Sequence, residues 1–339
     1  MSKVWFITGA GSGIGAATAR AALGAGDRVV ATGRNPDKIR NALRGVASDR
    51  LAVVQLDVAD AIQAKAAVDK AMEAFGRIDV LVNNAGYSLL GNFEELTTAE
   101  IDGLISTNLH GVVHVMRAVI PVMRKRRSGH IINVSSLAGI IGFKHCGAYS
   151  AAKFAVEGLS QSVAQEVAQF GIRVTAVAPG FFRTDLLDDQ NARYGSSTID
   201  DYAAEGSAKA MWSGYNGKQQ GDPAKLGDAL VKIAGMDNPP KQFLAGSDAV
   251  TAKCKAQHEQ HHLDQSDRAG RGHPGQPYEK LGLGSSDCAA EQPCGQFYEQ
   301  QERARFDAPA VVPKVLIRVA RRPAVAMADF VAKDSLRRS

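Results

Sequence analysis

The sequence predicts an α/β fold in which a doubly wound, parallel sheet of about seven strands carries helices on both faces. Seven short segments are apolar and rich in valine or isoleucine, as strands buried on both faces should be. Longer segments with apolar residues at helical spacing separate them. This alternation is typical of strand–helix–strand units built around a parallel sheet.

The predicted elements all lie in the first 245 residues. The predicted strands are Val4–Thr8, Arg28–Thr32, Leu51–Leu56, Val80–Asn83, His130–Ser135, Arg173–Ala178 and Lys241–Ala245. The main predicted helices are Gly15–Gly24, Ala61–Phe75, Ala99–Arg124 and Ala151–Phe170. Residues 251–339 lose the alternation and hold six of the twelve prolines. We therefore expect a folded domain at residues 1–250 and a largely disordered C-terminal extension at 251–339.

Composition points to a soluble globular protein. The net charge of +5 is the difference between 40 basic and 35 acidic side chains, so it is scattered. The densest basic run, Arg124–Arg127, is interpreted as the end of a helix rather than a nucleic-acid patch. No apolar stretch reaches the ~18 residues that a membrane span needs, and we expect no secretory leader, because Val4-Trp5-Phe6-Ile7 already looks like core. These observations predict a cytoplasmic protein without a nucleic-acid or membrane partner.

No metal site is expected. The four cysteines form no CxxC framework. The extension contains His258, His261, His262, His273, Cys288 and Cys294, but their spacings match no zinc module.

A glycine-rich turn follows the first strand. It reads Thr8-Gly9-Ala10-Gly11-Ser12-Gly13-Ile14-Gly15 and leads into an alanine-rich helix. Glycines allow a tight turn and a close approach to a pyrophosphate, and the helix behind them directs free N–H groups and a positive dipole end at that charge. Because a strand precedes the turn and a helix follows it, the motif predicts a Rossmann-type dinucleotide-binding fold.

The TGxxxGxG spacing of this turn resembles that of the short-chain dehydrogenase/reductase family. The resemblance covers about residues 4–248 and includes the segments Asn83-Asn84-Ala85-Gly86, Tyr149-Ser150-Ala151-Ala152-Lys153 and Pro179-Gly180-Phe181-Phe182-Arg183-Thr184. It implies an oxidoreductase that moves a hydride between a nicotinamide cofactor and a carbonyl or alcohol carbon. The implied cofactor-binding residues are Gly9, Ser12, Gly13, Ile14, Gly15, Asp57, Val58, Asn84, Ala85, Gly86, Tyr149, Lys153, Pro179, Gly180, Phe182 and Thr184.

The end of the second strand bears on the choice of cofactor. An acidic side chain there would hydrogen-bond the ribose 2′-hydroxyl of NAD, but this sequence has Gly33 followed by Arg34. A guanidinium with no neighbouring anion would suit the 2′-phosphate of NADP(H). We therefore expect NADP(H), the alternative being an arginine that only faces solvent.

Tyr149 and Lys153 are spaced to share one helix face. An ammonium group beside a phenol is expected to lower the phenol pKa from its reference value of ~10, which would suit Tyr149 to be a general acid or base. By resemblance, Ser136 would hold the substrate oxygen, Asn108 would anchor a proton-relay water and Lys153 would bind the nicotinamide ribose. The implied catalytic tetrad is Asn108, Ser136, Tyr149 and Lys153.

Residues 185–221 correspond to the variable insert that covers the substrate in this family. The insert contains Tyr194, Tyr202, Met211, Trp212 and Tyr215, and Phe143, His145 and Cys146 precede the catalytic tyrosine. These side chains would line the pocket for a largely apolar carbonyl or alcohol substrate, or would only pack the lid on the domain. The segment 83–97 looks more like the hydroxysteroid- and retinol-dehydrogenase-like branch of the family than like the acyl-carrier-protein reductases.

Two expectations concern function class and assembly. Some family members bind a dinucleotide without turning it over and act as redox sensors, but those usually lack the tyrosine or the lysine. The resemblance also implies a homodimer or homotetramer, paired through the helices Ala99–Arg124 and Ala151–Phe170.

Overall fold

The computed structural model describes residues 2–46, 48–188, 192–196 and 198–257. Seven strands form one sheet, and two three-residue strands pair separately. The strands are β1 (Val4–Thr8), β2 (Arg28–Gly33), β3 (Leu51–Gln55), β4 (Val80–Asn83), β5 (Ser88–Leu90), β6 (Gly129–Val134), β7 (Ile172–Pro179), β8 (Ala192–Tyr194) and β9 (Gln242–Ala245).

The large sheet has the order β3-β2-β1-β4-β6-β7-β9, and every neighbouring pair is parallel. The chain moves outward from β1 to β3 on one side and returns to place β4 on the other side of β1. The crevice at this reversal, beyond the carboxyl ends of the strands, is where open α/β sheets bind ligands. The predicted α/β fold class is confirmed.

Helices cover both faces of the sheet. They are α1 (Gly13–Gly24), α2 (Pro36–Ala42), α3 (Ala61–Phe75), α4 (Thr98–Ile105), α5 (Gly111–Arg126), α6 (Gly147–Val167), α7 (Ala208–Ser213), α8 (Pro223–Gly235) and α9 (247–257). Phe6 of β1 packs in a core with α3, α5 and α6. Its neighbours Trp5 and Ile7 pack in the opposite core with α1 and α8. This alternation is what a strand with two buried faces requires.

The predicted helix Ala99–Arg124 is not one regular α-helix. A π-helical turn, Ser106–His110, separates α4 from α5. The basic run Arg124–Arg127 follows, and its members make local contacts: Arg126 pairs with Asp79 at 2.8 Å, and the guanidinium groups of Arg124 and Arg127 lie over the Phe170 ring.

The last described helix, α9, crosses the predicted domain boundary at residue 250. Ala249 is fully buried in a small core with Leu137, Ala178 and Leu244. The helix therefore packs on the same domain as the sheet. The rest of the predicted extension, with its histidines and two of its cysteines, lies outside the described residues. Within the described ranges, no helix is long and apolar enough to cross a membrane, and no group of three metal-ligating side chains occurs.

Candidate active site

The glycine turn at the end of β1 has little room for side chains. Gly9 and Gly13 have left-handed backbone conformations, with φ of 65° and 53°. A Cβ atom on Gly15 would collide with the carbonyl oxygen of Gly9 and with Nδ2 of Asn84. The first turn of α1 therefore packs directly against the loop, with its N-terminus at the crevice. This is the local geometry that an anionic pyrophosphate needs.

The turn after β4 braces the glycine turn. Asn84 donates from Nδ2 to the carbonyl oxygens of Thr8 and Gly9, at 3.0 and 3.2 Å. The hydroxyl of Thr8 in turn accepts from the backbone N–H groups of Asn84 and Ala85, at 2.9 and 3.0 Å. The two loops that flank the reversal in strand order are thus one hydrogen-bonded unit.

A cleft of about 1640 Å³ lies along these loops. It is lined by every predicted cofactor-binding residue except Gly15, whose place is beneath the turn. Among the predicted catalytic residues, Ser136, Tyr149 and Lys153 also line the cleft. The cleft includes both the Arg34 loop after β2 and Thr184 after β7.

Arg34 shares its end of the cleft with a second cation. Lys38, on α2, lines the same region as Gly33 and Arg34. A Cβ atom on Gly11 would lie 3.3 Å from Cγ of Lys38, so the lysine stem runs along the glycine turn. Neither Arg34 nor Lys38 forms a salt bridge with another described residue. Two such cations are suited to a ligand phosphate.

Tyr149 lies in the first turn of α6, and Lys153 follows one turn later. Nζ of Lys153 donates to the carbonyl oxygen of Val134 at 3.0 Å. The Tyr149 hydroxyl makes a side-chain hydrogen bond with Ser136. The Ser136 oxygen also accepts from the N–H of Ala138 at 3.1 Å, which holds the serine at the end of β6.

Burial dominates the protonation of this pair. It raises the pKa of Tyr149 to about 12, with the hydrogen bond from Ser136 acting in the opposite direction. It lowers the pKa of Lys153 to about 8, with the Glu157 carboxylate opposing the shift. The pKa of Tyr149 in the cofactor-free protein is therefore raised, opposite to the lowering expected from Lys153, and desolvation of the phenolate is the largest cause.

Asn108 is fully buried in the π-helical turn and does not line the cleft. Its Oδ1 accepts from the N–H of Tyr87 at 3.1 Å, and its Nδ2 donates to the Tyr87 carbonyl at 2.9 Å. The side chain thus holds the segment between β4 and β5. Its predicted role at a relay water stays a prediction.

A second, smaller cavity opens beside Tyr149. We call it the substrate chamber; it has about 600 Å³ of empty space, part of which is open to solvent. Its lining consists of Ser88, Leu90, Ser136, Leu137, Ala138, Phe143, Cys146, Tyr149, Pro179, Gly180, Phe181, Phe182, Leu186, Leu187, Trp212 and Gln219. None of these side chains carries a charge. Ser136 and Tyr149 line both cavities, so the phenol lies where the cleft and the chamber meet.

A family model described as short chain dehydrogenase matches residues 3–195, more than half of the chain. The chain belongs to this family. It is 40% identical over 257 residues to the oxidoreductase BOA17 of Botryotinia fuckeliana, which covers 76% of this chain and 93% of the relative. It is 39% identical over 244 residues to the 3-ketodihydrosphingosine reductase of Bacteroides thetaiotaomicron, and this match covers 72% of this chain and 88% of the relative.

One solved structure similar to this short-chain dehydrogenase is that of ElxO with NADP bound. The two chains are 30% identical, with a TM-score of 0.60, over 72% of this chain and 97% of ElxO. The chain is therefore an oxidoreductase of a family with nicotinamide-dinucleotide-bound members.

Sequence reasoning about this short-chain dehydrogenase missed two cations of the cleft. Lys38 follows a helix-start signal that was available, since Asn35 caps α2 and Pro36 opens it. Arg193 comes from β8 in the insert, and its guanidinium lies 4.5 Å from the centre of the Tyr87 ring. No local sequence signal marks Arg193, because its position depends on the pairing of β8 with β5.

The predicted pocket residues of the short-chain dehydrogenase divide into two groups. Phe143, Cys146 and Trp212 line the substrate chamber. The remaining candidates His145, Tyr194, Tyr202, Met211 and Tyr215 do not. Tyr202 instead donates to Glu94 at 3.0 Å on the surface. Of the predicted insert residues, Trp212 thus lines the chamber, whereas Tyr202 contacts the surface of the domain.

Proposed function

We propose that this protein transfers a hydride between NADP(H) and a ketone, an aldehyde or the corresponding alcohol, with Tyr149 as the general acid or base. The observation that carries the proposal is the position of Tyr149 at the junction of cleft and chamber, bonded to Ser136 and followed by the buried Lys153. A group at this junction touches both a dinucleotide in the cleft and a substrate in the chamber.

The cleft residues fit a dinucleotide. The turn at Gly9, Gly13 and Gly15 excludes side chains where the pyrophosphate would lie, and Thr184 lies close enough to Gly13 that a Cβ there would be 3.2 Å from the threonine Cβ. Thr184 and Pro179 would hold the nicotinamide end. The bound cofactor would supply or accept the hydride.

The residues around the chamber would handle the proton. Ser136 would hold the substrate oxygen, and Tyr149, protonated because burial raises its pKa, would donate to that oxygen in the reduction direction. Lys153 would bind the ribose and favour the phenolate formed by this transfer. In the oxidation direction the phenolate would take the proton back.

The preference for NADP(H) rests on the Arg34 end of the cleft. Gly33 offers no carboxylate to a ribose 2′-hydroxyl, whereas Arg34 and Lys38 are both exposed cations without an acidic partner among the described residues. The similarity to ElxO, solved with NADP, supports the same choice. A site with two cations and no carboxylate at Gly33 favours a phosphate on the adenosine ribose.

The substrate proposal rests on the lining of the chamber. A lining without charged side chains favours a neutral, largely apolar substrate, since a charged group would lose its hydration without compensation. One curated relative is named as a reductase of a keto compound, which supports reduction of a ketone.

The test is turnover of a panel of neutral ketones and alcohols with NADPH, NADH and their oxidised forms. We expect ketone-dependent oxidation of NADPH and a much smaller rate with NADH. Binding of NADPH without turnover of any substrate in the panel would instead favour a dinucleotide-binding redox sensor.

We also propose a homodimer or homotetramer that pairs through α4, α5 and α6. Phe154 supports this assignment, because it is a large apolar side chain that is 47% exposed on α6. Aromatic residues are enriched in protein interfaces relative to the rest of the surface.

A further inference from the structure

Two polar side chains of the substrate chamber have no part in the proposed chemistry. Trp212 and Gln219 both line the chamber, and each is only 6% exposed. Nε1 of Trp212 and Oε1 of Gln219 are buried and have no hydrogen-bond partner among the described residues. Native proteins leave few buried polar atoms unpaired, so each such atom calls for an explanation.

The other polar groups of the chamber are already engaged or neutral. Ser136 and Tyr149 bond each other at the junction with the cleft. The hydroxyl of Ser88 donates to the carbonyl oxygen of Leu186 at 3.0 Å. Burial raises the pKa of the Cys146 thiol to about 12, so it stays an uncharged, weak donor. Apart from Ser136 and Tyr149, which would hold the reacting oxygen, Trp212 and Gln219 are therefore the polar side chains of the chamber that remain for a second ligand group.

Aromatic packing fixes the direction of the Trp212 indole. Its ring stacks on Phe181 at a centroid distance of 6.2 Å and an interplanar angle of 25°. The Phe143 ring meets it edge-on at 6.3 Å and 81°, and Tyr215 lies 5.8 Å away. The indole could not turn its N–H elsewhere without breaking these contacts.

The backbone at Gln219 is held just as firmly. Nη1 of Arg183 donates to the carbonyl oxygens of Gln219 and Gln220, at 2.9 and 3.0 Å. The N–H of Gly221 donates to the Phe181 carbonyl at 2.9 Å. The indole of Trp212, which carries the donor, is thus held against the segment after β7 by ring packing. The backbone of Gln219, which carries the acceptor, is held to the same segment by hydrogen bonds.

We propose that Trp212 and Gln219 form a subsite for a hydroxyl group that the substrate carries apart from its reacting carbon, an inference that rests on the proposed function. An indole N–H only donates and a carboxamide oxygen only accepts. A hydroxyl serves both, whereas an ammonium cannot accept from the indole and a carboxylate cannot donate to the carboxamide. An ether or a second ketone accepts only. The substrate class is a neutral hydroxy ketone or the corresponding diol.

The experiment compares matched pairs of ketones that differ only in a methyl or a hydroxyl group. The probes are linear 2-alkanones and the 2-alkanones that end in a hydroxyl, from short to medium length, together with methylcyclohexanones and the matching hydroxycyclohexanones. For at least one pair, we expect kcat/KM with NADPH to favour the hydroxyl member by more than about tenfold. Trp212→Phe and Gln219→Met should each reduce this ratio toward one, and Met211→Leu, a control on the same helix outside the chamber, should keep it.

Two outcomes overturn the subsite: no pair shows a hydroxyl preference in the wild type, or the preference persists in both variants. In either case, turnover of the plain ketones would leave the proposed function standing. If no ketone is turned over, the proposed function fails, and the affinities of the paired ketones then test the subsite. Binding is then followed by tryptophan fluorescence with NADP⁺ present, where the second tryptophan, Trp5, is fully buried in β1 and serves as a constant background. Equal affinity within every pair would then overturn the subsite.

Discussion

Nζ of Lys153 lies 5.7 Å from the centre of the Tyr149 ring. The same nitrogen is held by the Val134 carbonyl at the end of β6, so the sheet fixes the ammonium beside the phenol. Burial raises the pKa of Tyr149 to about 12, so the phenol is protonated at neutral pH. Burial lowers the pKa of Lys153 to about 8, so the lysine begins to lose its proton just above neutral pH. This arrangement provides a proton donor for reduction, and a cation whose charge is sensitive to pH.

Tyr149→Phe should lower turnover of a ketone by about 10²–10⁴-fold, because it removes the proton donor and keeps the ring. The Kd of NADPH should change little. Steady-state kinetics and fluorescence titration measure the two effects. Tyr202→Phe is the matched control, since its hydroxyl bonds Glu94 on the surface. Near-normal turnover in the Tyr149 variant would exclude the proposed role.

Arg34→Ala should raise the Kd of NADPH by roughly 10- to 100-fold, the loss expected when one charge-assisted pair is removed. Lys38→Ala should act in the same direction, and both should affect NADH far less, because NADH lacks the 2′-phosphate. Arg40→Ala is the control on the same helix, since Arg40 pairs with Asp37 and does not line the cleft. Equal weakening of NADPH and NADH would show that these cations do not bind the phosphate.

Lys153→Met should stabilise the cofactor-free protein at pH 7. The folded pKa of about 8 lies below the ordinary value of 10.5, so folding disfavours the protonated lysine. This cost, on the order of 3 kcal/mol, is fully present below pH 8 and disappears as the pH rises toward 10.5. Urea unfolding of both proteins across this range measures it. A difference in the free energy of unfolding that does not depend on pH would contradict the assignment.

Gly15→Ala should destabilise the fold by ~1–3 kcal/mol and weaken NADPH binding, because the new methyl group would push the Gly9 carbonyl and the Asn84 amide apart. Gly24→Ala, in the same helix, should have the opposite effect on stability. Nothing lies within 4 Å of the position that its methyl group would take, and alanine should stabilise α1 by up to ~1 kcal/mol. Thermal unfolding should therefore shift in opposite directions for the two variants; shifts of the same sign would count against this packing.

Phe154→Lys should shift the protein to a smaller oligomer or a monomer, because a charge would replace the apolar group at the proposed interface. Light scattering at micromolar concentration measures the mass. Ile62→Lys, an even more exposed position at 82% on α3, should leave the mass unchanged. A wild-type monomer, or an unchanged mass in the Phe154 variant, would refute the interface.

The strands of the large sheet were predictable because each is a compact apolar segment whose burial on two faces requires a distinct composition. The predicted Val4–Thr8 and Val80–Asn83 match the structure, and the others differ only at their ends. The strands β5 and β8 were not predicted. Each has three residues, too few for a periodicity, and their pairing joins Ser88 to Ala192 far along the chain.

The site shows the same division between local and long-range information. The spacing of Tyr149 and Lys153 is visible in the sequence because one helix carries both. The sequence predicted a lowered pKa for Tyr149, whereas burial raises it. That burial depends on elements that fold over the phenol from elsewhere in the chain. The contact of Arg193 with Tyr87 has the same origin.

The bonds from Asn84 to Thr8 and Gly9 join segments about 75 residues apart. The glycine turn therefore takes its final shape only after β4 has paired with β1, since its brace comes from the turn after β4. Long-range pairing of this kind forms late, after the entropy of closing the intervening loop has been overcome. Affinity for the dinucleotide should accordingly arise as one of the last properties of the folding protein, and an N-terminal fragment that ends before β4 would carry the complete glycine motif without a binding site.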